Sequence, residues 1–277
     1  MQLGIFAKTF AGSDPLTVLR AAATAGYGAV QYNLACSGLG ALPTSIAPSD
    51  AAAIRAAAAT TGVAIAAVSA TYNMIHPDPA AVEAGRRAFA AIAEAAPKLG
   101  TRLVTVCTGS RDPVDQWRHH PDNTEASAWR DLLAEFERLL VIAERHDVLI
   151  GVEPELANVV HSAGAAARLL STFPGARIRI VLDPANLFET ADAPTRRALI
   201  EEAMNLLHPA IAMVHAKDRH ADGSFAAAGA GVIDFRHFFA TLRQAGFAGP
   251  VITHGLTAEE APGVATVLAD AIARSAA

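Results

Sequence analysis

The sequence predicts an α/β protein, and specifically a single-domain (β/α)8 barrel of the TIM type. Strand-like and helix-like segments alternate eight times from one end of the chain to the other, and no segment reads as an interdomain linker. The length of 277 residues is normal for such a barrel. An open doubly wound sheet is the alternative, but no Gly-x-Gly-x-x-Gly fingerprint opens any predicted helix. We therefore expect one domain covering residues 1–277.

The predicted strands are short runs of β-branched and aliphatic residues, which suit strands buried on both faces. They lie at residues 2–7, 28–33, 63–69, 102–107, 148–153, 177–183, 211–215 and 250–254. Helical patterns, several of them rich in alanine and therefore of high helix propensity, separate the strands. They lie at about 14–26, 48–62, 78–98, 124–146, 161–173, 194–206, 235–246 and 258–274.

Composition excludes several classes of protein. The net charge of −5 argues against a nucleic-acid partner, which would normally require a basic face. No apolar run approaches the roughly 20 residues needed to cross a bilayer. The start, Met1-Gln-Leu-Gly-Ile, lacks the features of a signal peptide, so we expect a cytoplasmic location in which Cys36 and Cys107 stay reduced. A homo-oligomer is compatible with these properties.

Four strand-like runs in the C-terminal half each end on a residue type that binds metals, namely Glu153, Asp183, His215 and His254. If these strands are parallel, all four side chains emerge at the same edge of one sheet. Two carboxylates and two imidazoles at that edge would hold one divalent cation. The mixed oxygen and nitrogen ligands suit manganese or zinc, with magnesium and cobalt as alternatives. His254 could equally hydrogen-bond the substrate.

Two further polar residues follow the same strand pattern. Glu155 and Lys217 lie two residues beyond Glu153 and His215, so the strand period of two puts each pair on one side. Glu153 directly follows the apolar run and is the predicted ligand, which leaves Glu155 as an acid or base. Lys217 is a candidate electrophile that polarises a carbonyl, with an internal ion pair as the alternative. The predicted catalytic residues are Glu153, Glu155, Lys217 and His254.

Polar residues near the ends of the other strands predict a barrel mouth that suits a small polyhydroxylated molecule. The candidates for substrate contacts there are Lys8, Gln31, Asn73 and, in a long loop after the fourth strand, Arg111. That loop, residues 108–123, also contains a tryptophan, a second arginine and two histidines. It is predicted to form a rim or lid over the mouth, with a plain solvated connection as the alternative.

With these residues in view, the chain resembles the xylose isomerase-like TIM-barrel superfamily over essentially its whole length. The motifs that carry the resemblance are Glu153-Pro followed by Asn158, Leu182-Asp-Pro-Ala-Asn186, Val214-His-Ala-Lys-Asp218 and the turn Gly229-Ala-Gly-Val-Ile-Asp234. The superfamily includes sugar and sugar-phosphate isomerases and epimerases, dehydratases and abasic-site endonucleases. The resemblance implies Glu153, Asp183 and His215 as ligands of one divalent cation, and its motifs add Asn158 and Asn186 to the candidate substrate contacts.

The chain departs from the superfamily pattern at two strand ends. His254 stands where the eighth strand normally ends in a glutamate, and Gln31 stands where many relatives have a glutamate. Without the second glutamate, the two-glutamate mechanism of the epimerases cannot be carried over directly. His254 could act as the second base or as a ligand, or the metal site could be weakened or lost.

These residues predict a divalent-metal-dependent isomerase or epimerase of carbohydrate metabolism. It would remove a proton next to the carbonyl of a small sugar, ketose or sugar phosphate, and Glu155 or His254 would accept that proton. The alternatives are a metal-dependent lyase or dehydratase acting on a keto-polyol, and a non-catalytic sugar-binding barrel. Hydrolysis at abasic sites in DNA is disfavoured by the acidic net charge and by the missing metal ligands.

Overall fold

Eight parallel strands close into a barrel in the computed structural model, which describes residues 1–275. The barrel strands are β1 (Gln2–Phe6), β2 (Ala29–Tyr32), β3 (Ala64–Ser69), β4 (Leu103–Cys107), β5 (Leu149–Glu153), β6 (Ile178–Leu182), β7 (Ile211–Ala216) and β10 (Pro250–Thr253). Strand β10 pairs with both β7 and β1, which closes the ring. The predicted TIM barrel is therefore confirmed, and the open doubly wound sheet is excluded.

Eight α-helices connect consecutive barrel strands or follow the last one. They are α1 (Pro15–Thr24), α2 (Pro48–Thr61), α3 (Pro79–Leu99), α4 (Ala126–His146), α5 (Ala163–Thr172), α6 (Ala193–Leu207), α7 (Phe235–Gln244) and α8 (Ala261–Arg274). In α3 the buried residues Phe89, Ile92 and Ala96 recur at helical spacing and pack onto the barrel. The largest boundary difference is at the last helix, predicted from residue 258 and observed from Ala261. Among the described residues, no helix has the length and apolar character needed to cross a bilayer.

A layer of apolar side chains closes the barrel interior beneath the polar residues at the strand ends. A separate buried cluster comprises Ala67, Leu103, Val181, Met213 and Ile252, one residue from each of five strands. These positions alternate with the residues that pack against the helices, so they point into the barrel. The next inward position on each strand lies two residues further along the chain. The polar strand ends therefore stand directly above an apolar floor.

A short antiparallel hairpin after β7 was not predicted from the sequence. It consists of β8 (Asp218–Arg219) and β9 (Phe225–Ala226), and residues 218–233 are called the hairpin loop below. The buried carboxylate of Asp218 accepts hydrogen bonds from four backbone N–H groups of this loop, at 2.8 Å for Arg219 and 3.0 Å for Gly229, Gly231 and Ile233. A Cβ atom at position 231 would collide with the Arg219 carbonyl oxygen, which explains the glycine. One side chain therefore joins the start of the hairpin loop to its end.

Candidate metal centre and active site

The structure brings together the four residues that were predicted to bind a metal. Glu153 ends β5, Asp183 and His254 directly follow β6 and β10, and His215 lies near the end of β7. One candidate ligand atom from each residue lies within 4.8 Å of the other three. Because Val181, Met213 and Ile252 lie two residues before Asp183, His215 and His254, the alternation of the strands places all of these side chains inside the barrel.

Two atoms of this cluster are buried without a hydrogen-bond partner among the residues that the structure describes. They are Asp183 Oδ2 and His254 Nε2, which face each other at 3.4 Å. The other oxygen of Asp183 is satisfied, because Oδ1 accepts a hydrogen bond of 2.9 Å from the backbone N–H of Ala185. Leaving buried polar atoms unpaired is costly. A divalent cation would satisfy both atoms, so the donor set fits a metal site.

The charges in the cluster also suit a cation. Burial alone would raise the pKa of Asp183, but the Lys217 ammonium and His254 outweigh it and hold this pKa at about 2. Burial opposes ionisation of Glu153 as well, yet the neighbouring His215 keeps the pKa of that carboxyl below its ordinary value. Burial lowers the pKa of His254, which favours the neutral imidazole. Ionised carboxylates and a neutral imidazole are the forms that bind metals.

A short chain of hydrogen bonds orients Glu153. The amide of Asn186 donates to Glu153 Oε1 at 3.0 Å, and Lys217 Nζ donates to Asn186 Oδ1 at 3.2 Å. The ammonium also lies 3.8 Å from Asp183 Oδ2 and 3.8 Å from the centre of the Phe225 ring. Asn186 was predicted to contact substrate, but the structure buries its side chain between Glu153 and Lys217. It therefore fixes the direction of the Glu153 carboxylate.

A cavity of about 830 Å³ opens above the cluster. All four predicted catalytic residues line it, namely Glu153, Glu155, Lys217 and His254. Burial raises the pKa of Glu155 to about 7, against the opposing effect of the Lys217 ammonium. The loop after β4 contributes Gln116 and Trp117 to the wall, so this loop does form a rim of the cavity.

The candidate substrate contacts divide into two groups. Lys8 and Gln31 line the cavity, whereas Asn73, Arg111 and Asn158 do not. The side chains of these three residues instead order the loop after β4 and its neighbours. Asn73 bonds to the backbone of Ser110 at 2.7 Å and 3.1 Å. Asn158 accepts from the N–H of Gly109 and donates to the carbonyl of Gln116, both at 2.9 Å.

Arg111 is held in the same way, away from the cavity. Its guanidinium donates to the carbonyl oxygen of Ile75 at 2.9 Å and forms an ion pair with Asp131 of α4. Because both ends of the guanidinium are occupied by protein groups, Arg111 ties the rim to the barrel. Asn73, Arg111 and Asn158 were expected to contact a substrate. In the structure their side chains bond to protein groups and do not line the cavity.

The residues of the cavity wall that were not found from the sequence include Ser69, Thr105 and Phe225. Ser69 and Thr105 follow Ala67 and Leu103 in the inward-facing rows of β3 and β4, and both side chains line the cavity. Phe225 reaches the cavity from the hairpin loop. The strand period of two could have identified Ser69 and Thr105, since each lies two residues beyond an inward apolar residue. No comparable signal was available for Phe225.

Comparison with known proteins agrees with this architecture. Among solved structures, the 3-keto-D-glucoside 4-epimerase of E. coli superposes with a TM-score of 0.76 at 17% sequence identity, covering 100% of this chain and 99% of its own. D-Psicose 3-epimerase from Clostridium cellulolyticum gives 0.74 at 14% identity, with 98% and 99% covered. A xylose isomerase domain protein from Alicyclobacillus acidocaldarius gives 0.73 at 18% identity, with 99% and 100% covered.

At these identities the solved structures establish a shared fold, and no curated protein sequence matches the chain. The family assignment comes from the sequence itself. The family model described as xylose isomerase-like TIM barrel matches residues 19–273, which is most of the chain. The chain therefore belongs to the xylose isomerase-like TIM barrel family.

Proposed function

We propose that the protein is a divalent-metal-dependent isomerase or epimerase that removes a proton next to the carbonyl of a small carbohydrate. The observation that carries this proposal is the cluster of Glu153, Asp183, His215 and His254 beneath the cavity, with ligand atoms within 4.8 Å of one another. The fold shared with two sugar epimerases supports the same substrate class.

The four clustered residues would hold the cation, and their mixed oxygen and nitrogen atoms favour manganese or zinc over magnesium or cobalt. When bound, a divalent cation supplies Lewis-acid stabilisation to a substrate oxygen that gains negative charge. His254 serves as a ligand in this proposal, because its Nε2 atom already faces Asp183 Oδ2 at 3.4 Å. The imidazole thus takes the place of the missing strand-end glutamate.

Glu155 is the residue that we assign to proton transfer. Its side chain lines the cavity, and its carboxylate accepts no hydrogen bond from any residue that the structure describes, so both oxygens are available to a substrate. The ammonium of Lys217, on the same side of the barrel, can stabilise the enolate oxygen. A proton that Glu155 returns to the neighbouring carbon gives isomerisation. Epimerisation would require a second acid to deliver a proton to the opposite face of the same carbon.

Protein purified without chelators should contain a single divalent ion per chain. Adding manganese or zinc to the metal-free protein should raise its melting temperature, because a ligand that binds only the folded state stabilises it. In deuterium oxide, the metal-loaded protein should place deuterium beside the carbonyl of at least one substrate in a panel of ketoses and keto-polyols, as read by mass spectrometry.

Metal binding and proton exchange test the metal site and the activity separately. Substoichiometric metal with no thermal shift on adding manganese, zinc, cobalt or magnesium would contradict the metal site. Metal-loaded protein that exchanges no proton over the whole panel would instead contradict the activity and favour a sugar-binding role.

Substitution of His254 tests its assignment as a ligand. His254→Ala should weaken metal binding by at least about tenfold, the lower end of what is typical for residues that only orient a ligand. His254→Glu, which restores an anionic oxygen ligand, should keep the affinity close to that of the wild type. Calorimetric titration of the metal-free variants measures both. If His254→Ala binds metal like the wild type but loses proton exchange, the residue is a base and not a ligand.

A further inference from the structure

The side chain of Gln31, at the end of β2, contacts three buried polar side chains at once. Its Oε1 atom lies 2.8 Å from His215 Nε2, and its Nε2 atom donates to Ser69 Oγ at 2.9 Å and to Thr105 Oγ1 at 3.0 Å. All four residues are less than a tenth exposed. Polar groups this buried are normally satisfied by partners within the protein.

The hydrogen bonds of the Gln31 amide determine which ring nitrogen of His215 carries the proton. A primary amide has two N–H donors and one acceptor oxygen. Because the hydroxyls of Ser69 and Thr105 take both donors, only the oxygen is left for His215, so Nε2 of the imidazole must carry the proton. The neutral imidazole that binds a cation has a single proton, so in the metal-bound state the lone pair is on Nδ1. That atom lies 3.0 Å from Glu153 Oε1 and faces the four-residue cluster.

The opposite orientation of the amide would have the opposite result. An N–H of Gln31 would then face His215 Nε2, and the imidazole proton would move to Nδ1, where it would point at Glu153. No lone pair of His215 would face the cluster, and the residue could not bind a cation there. The orientation of one amide thus decides whether His215 can be a ligand.

The same hydrogen bonds have a second consequence on the cavity side. Since Ser69 and Thr105 accept the amide protons, their own hydroxyl protons are not used in the bonds to Gln31. Neither hydroxyl donates to another residue of the described chain, and both side chains line the cavity. The wall opposite His215 therefore offers a pair of hydroxyl donors, which match the hydroxyl or carbonyl oxygens of a carbohydrate.

We propose that Gln31 is a positioning residue that performs both tasks. It holds His215 as the Nε2–H tautomer, so that Nδ1 can bind the cation, and it turns the Ser69 and Thr105 hydroxyl protons toward a substrate oxygen. This inference rests on the proposed function, because it requires a cation at the four-residue cluster and a carbohydrate in the cavity.

Two substitutions at position 31 separate the two tasks. Gln31→Met removes the acceptor and both donors and should lower zinc affinity by about 10- to 100-fold, the usual effect of removing a group that orients a histidine ligand. Gln31→Glu keeps an acceptor for the His215 proton, so zinc affinity should be retained. Its carboxylate has no proton to donate, however, and would draw the two hydroxyl protons away from the cavity. The KM for the exchanged substrate should therefore rise.

The tautomer can be observed directly. In zinc-loaded wild-type protein labelled with nitrogen-15, long-range correlation spectra should show His215 protonated at Nε2 and not at Nδ1, with the signals assigned by their loss in His215→Gln. Circular dichroism establishes that each variant is folded. If Gln31→Met fails to fold, the same measurements of zinc affinity and KM are made on Gln31→Glu, Ser69→Ala and Thr105→Val. The last two should raise KM by about two- to tenfold, the effect of losing one neutral hydrogen bond, with zinc affinity unchanged.

The outcomes distinguish this inference from the proposed function. Wild-type protein that binds no zinc and exchanges no proton overturns both. Wild-type protein that binds zinc and exchanges protons, with His215 protonated at Nδ1, overturns the role of Gln31 alone. So does a Gln31→Met variant with wild-type zinc affinity, or a Gln31→Glu variant with wild-type KM.

Discussion

Replacing Asp183 by asparagine should release the divalent cation and reduce proton exchange to background while the barrel stays folded. The asparagine oxygen can still accept the 2.9 Å hydrogen bond from Ala185 N–H, so the local turn is preserved. The variant loses the negative charge and places N–H donors where the unpaired Oδ2 atom faces His254. The loss of metal affinity should exceed the roughly 10- to 100-fold typical of residues that only orient a ligand. Calorimetric titration with manganese measures it.

Asp192→Asn is a matched control for this substitution. The carboxylate of Asp192 also accepts a 2.9 Å hydrogen bond from a backbone N–H, that of Thr195, but it caps α6 on the surface of the barrel. Metal affinity and exchange should be unchanged in this variant. An Asp183→Asn protein that binds manganese within about tenfold of the wild type would show that the carboxylate is not a ligand.

Replacing Glu155 by glutamine should abolish the chemistry and leave the metal in place. The side chain lines the cavity without being one of the four clustered residues, so the change removes a proton acceptor but no ligand. A lost general base typically costs about 100- to 10,000-fold in rate. The measurement is the rate of deuterium incorporation into substrate, with the metal content of the same sample determined by elemental analysis.

Glu189→Gln provides the corresponding control. Glu189 is exposed in the segment after β6, packs near Gly223 of the hairpin loop and does not line the cavity. The same chemical change there should leave exchange unaffected. If Glu155→Gln retains the wild-type rate, the proton must pass to another cavity residue, and His254 becomes the remaining candidate.

The fold and the clustering of the four strand-end residues were predictable because both follow from the strand period. Asp183 and His215 stand out in the sequence, since a carboxylate or an imidazole at the end of an aliphatic run has to find a partner inside the protein. Once the strands are parallel, their ends meet at one edge. Predicting that His254 joins the cluster required nothing beyond its place at the end of the last strand.

The loop residues were not predictable in the same way. Asn73, Arg111 and Asn158 have the chemistry of substrate contacts, but their side chains bond to nearby backbone carbonyls and N–H groups instead. Which acceptor a polar side chain finds in a loop depends on the path of the backbone, and no periodic pattern encodes that path. The position of the rim was therefore predictable, whereas the hydrogen-bond partners of its polar side chains within the protein were not.

The contacts of Gln31 depend on strand register. The pairing of β2 with β3 shifts between Val30 and Gln31, so that Gln31 lies opposite Ala67. This shift changes which residues of β3 and β4 lie beside the Gln31 amide. A difference of one residue in register would move a side chain to the opposite face of the sheet. The sequence identified Gln31 as a residue of the barrel mouth. It could not show that the amide would meet His215, Ser69 and Thr105.

The four hydrogen bonds of Asp218 also affect the thermodynamics of ligand binding. Because these bonds are made entirely within the protein, the conformational entropy of this segment is lost when the chain folds and not when a substrate enters. Phe225, half exposed at the cavity, is stacked against Lys217 and Arg219 before binding begins. A substrate thus meets an aromatic surface that is already ordered, and its contact with Phe225 is not offset by the cost of immobilising a loop.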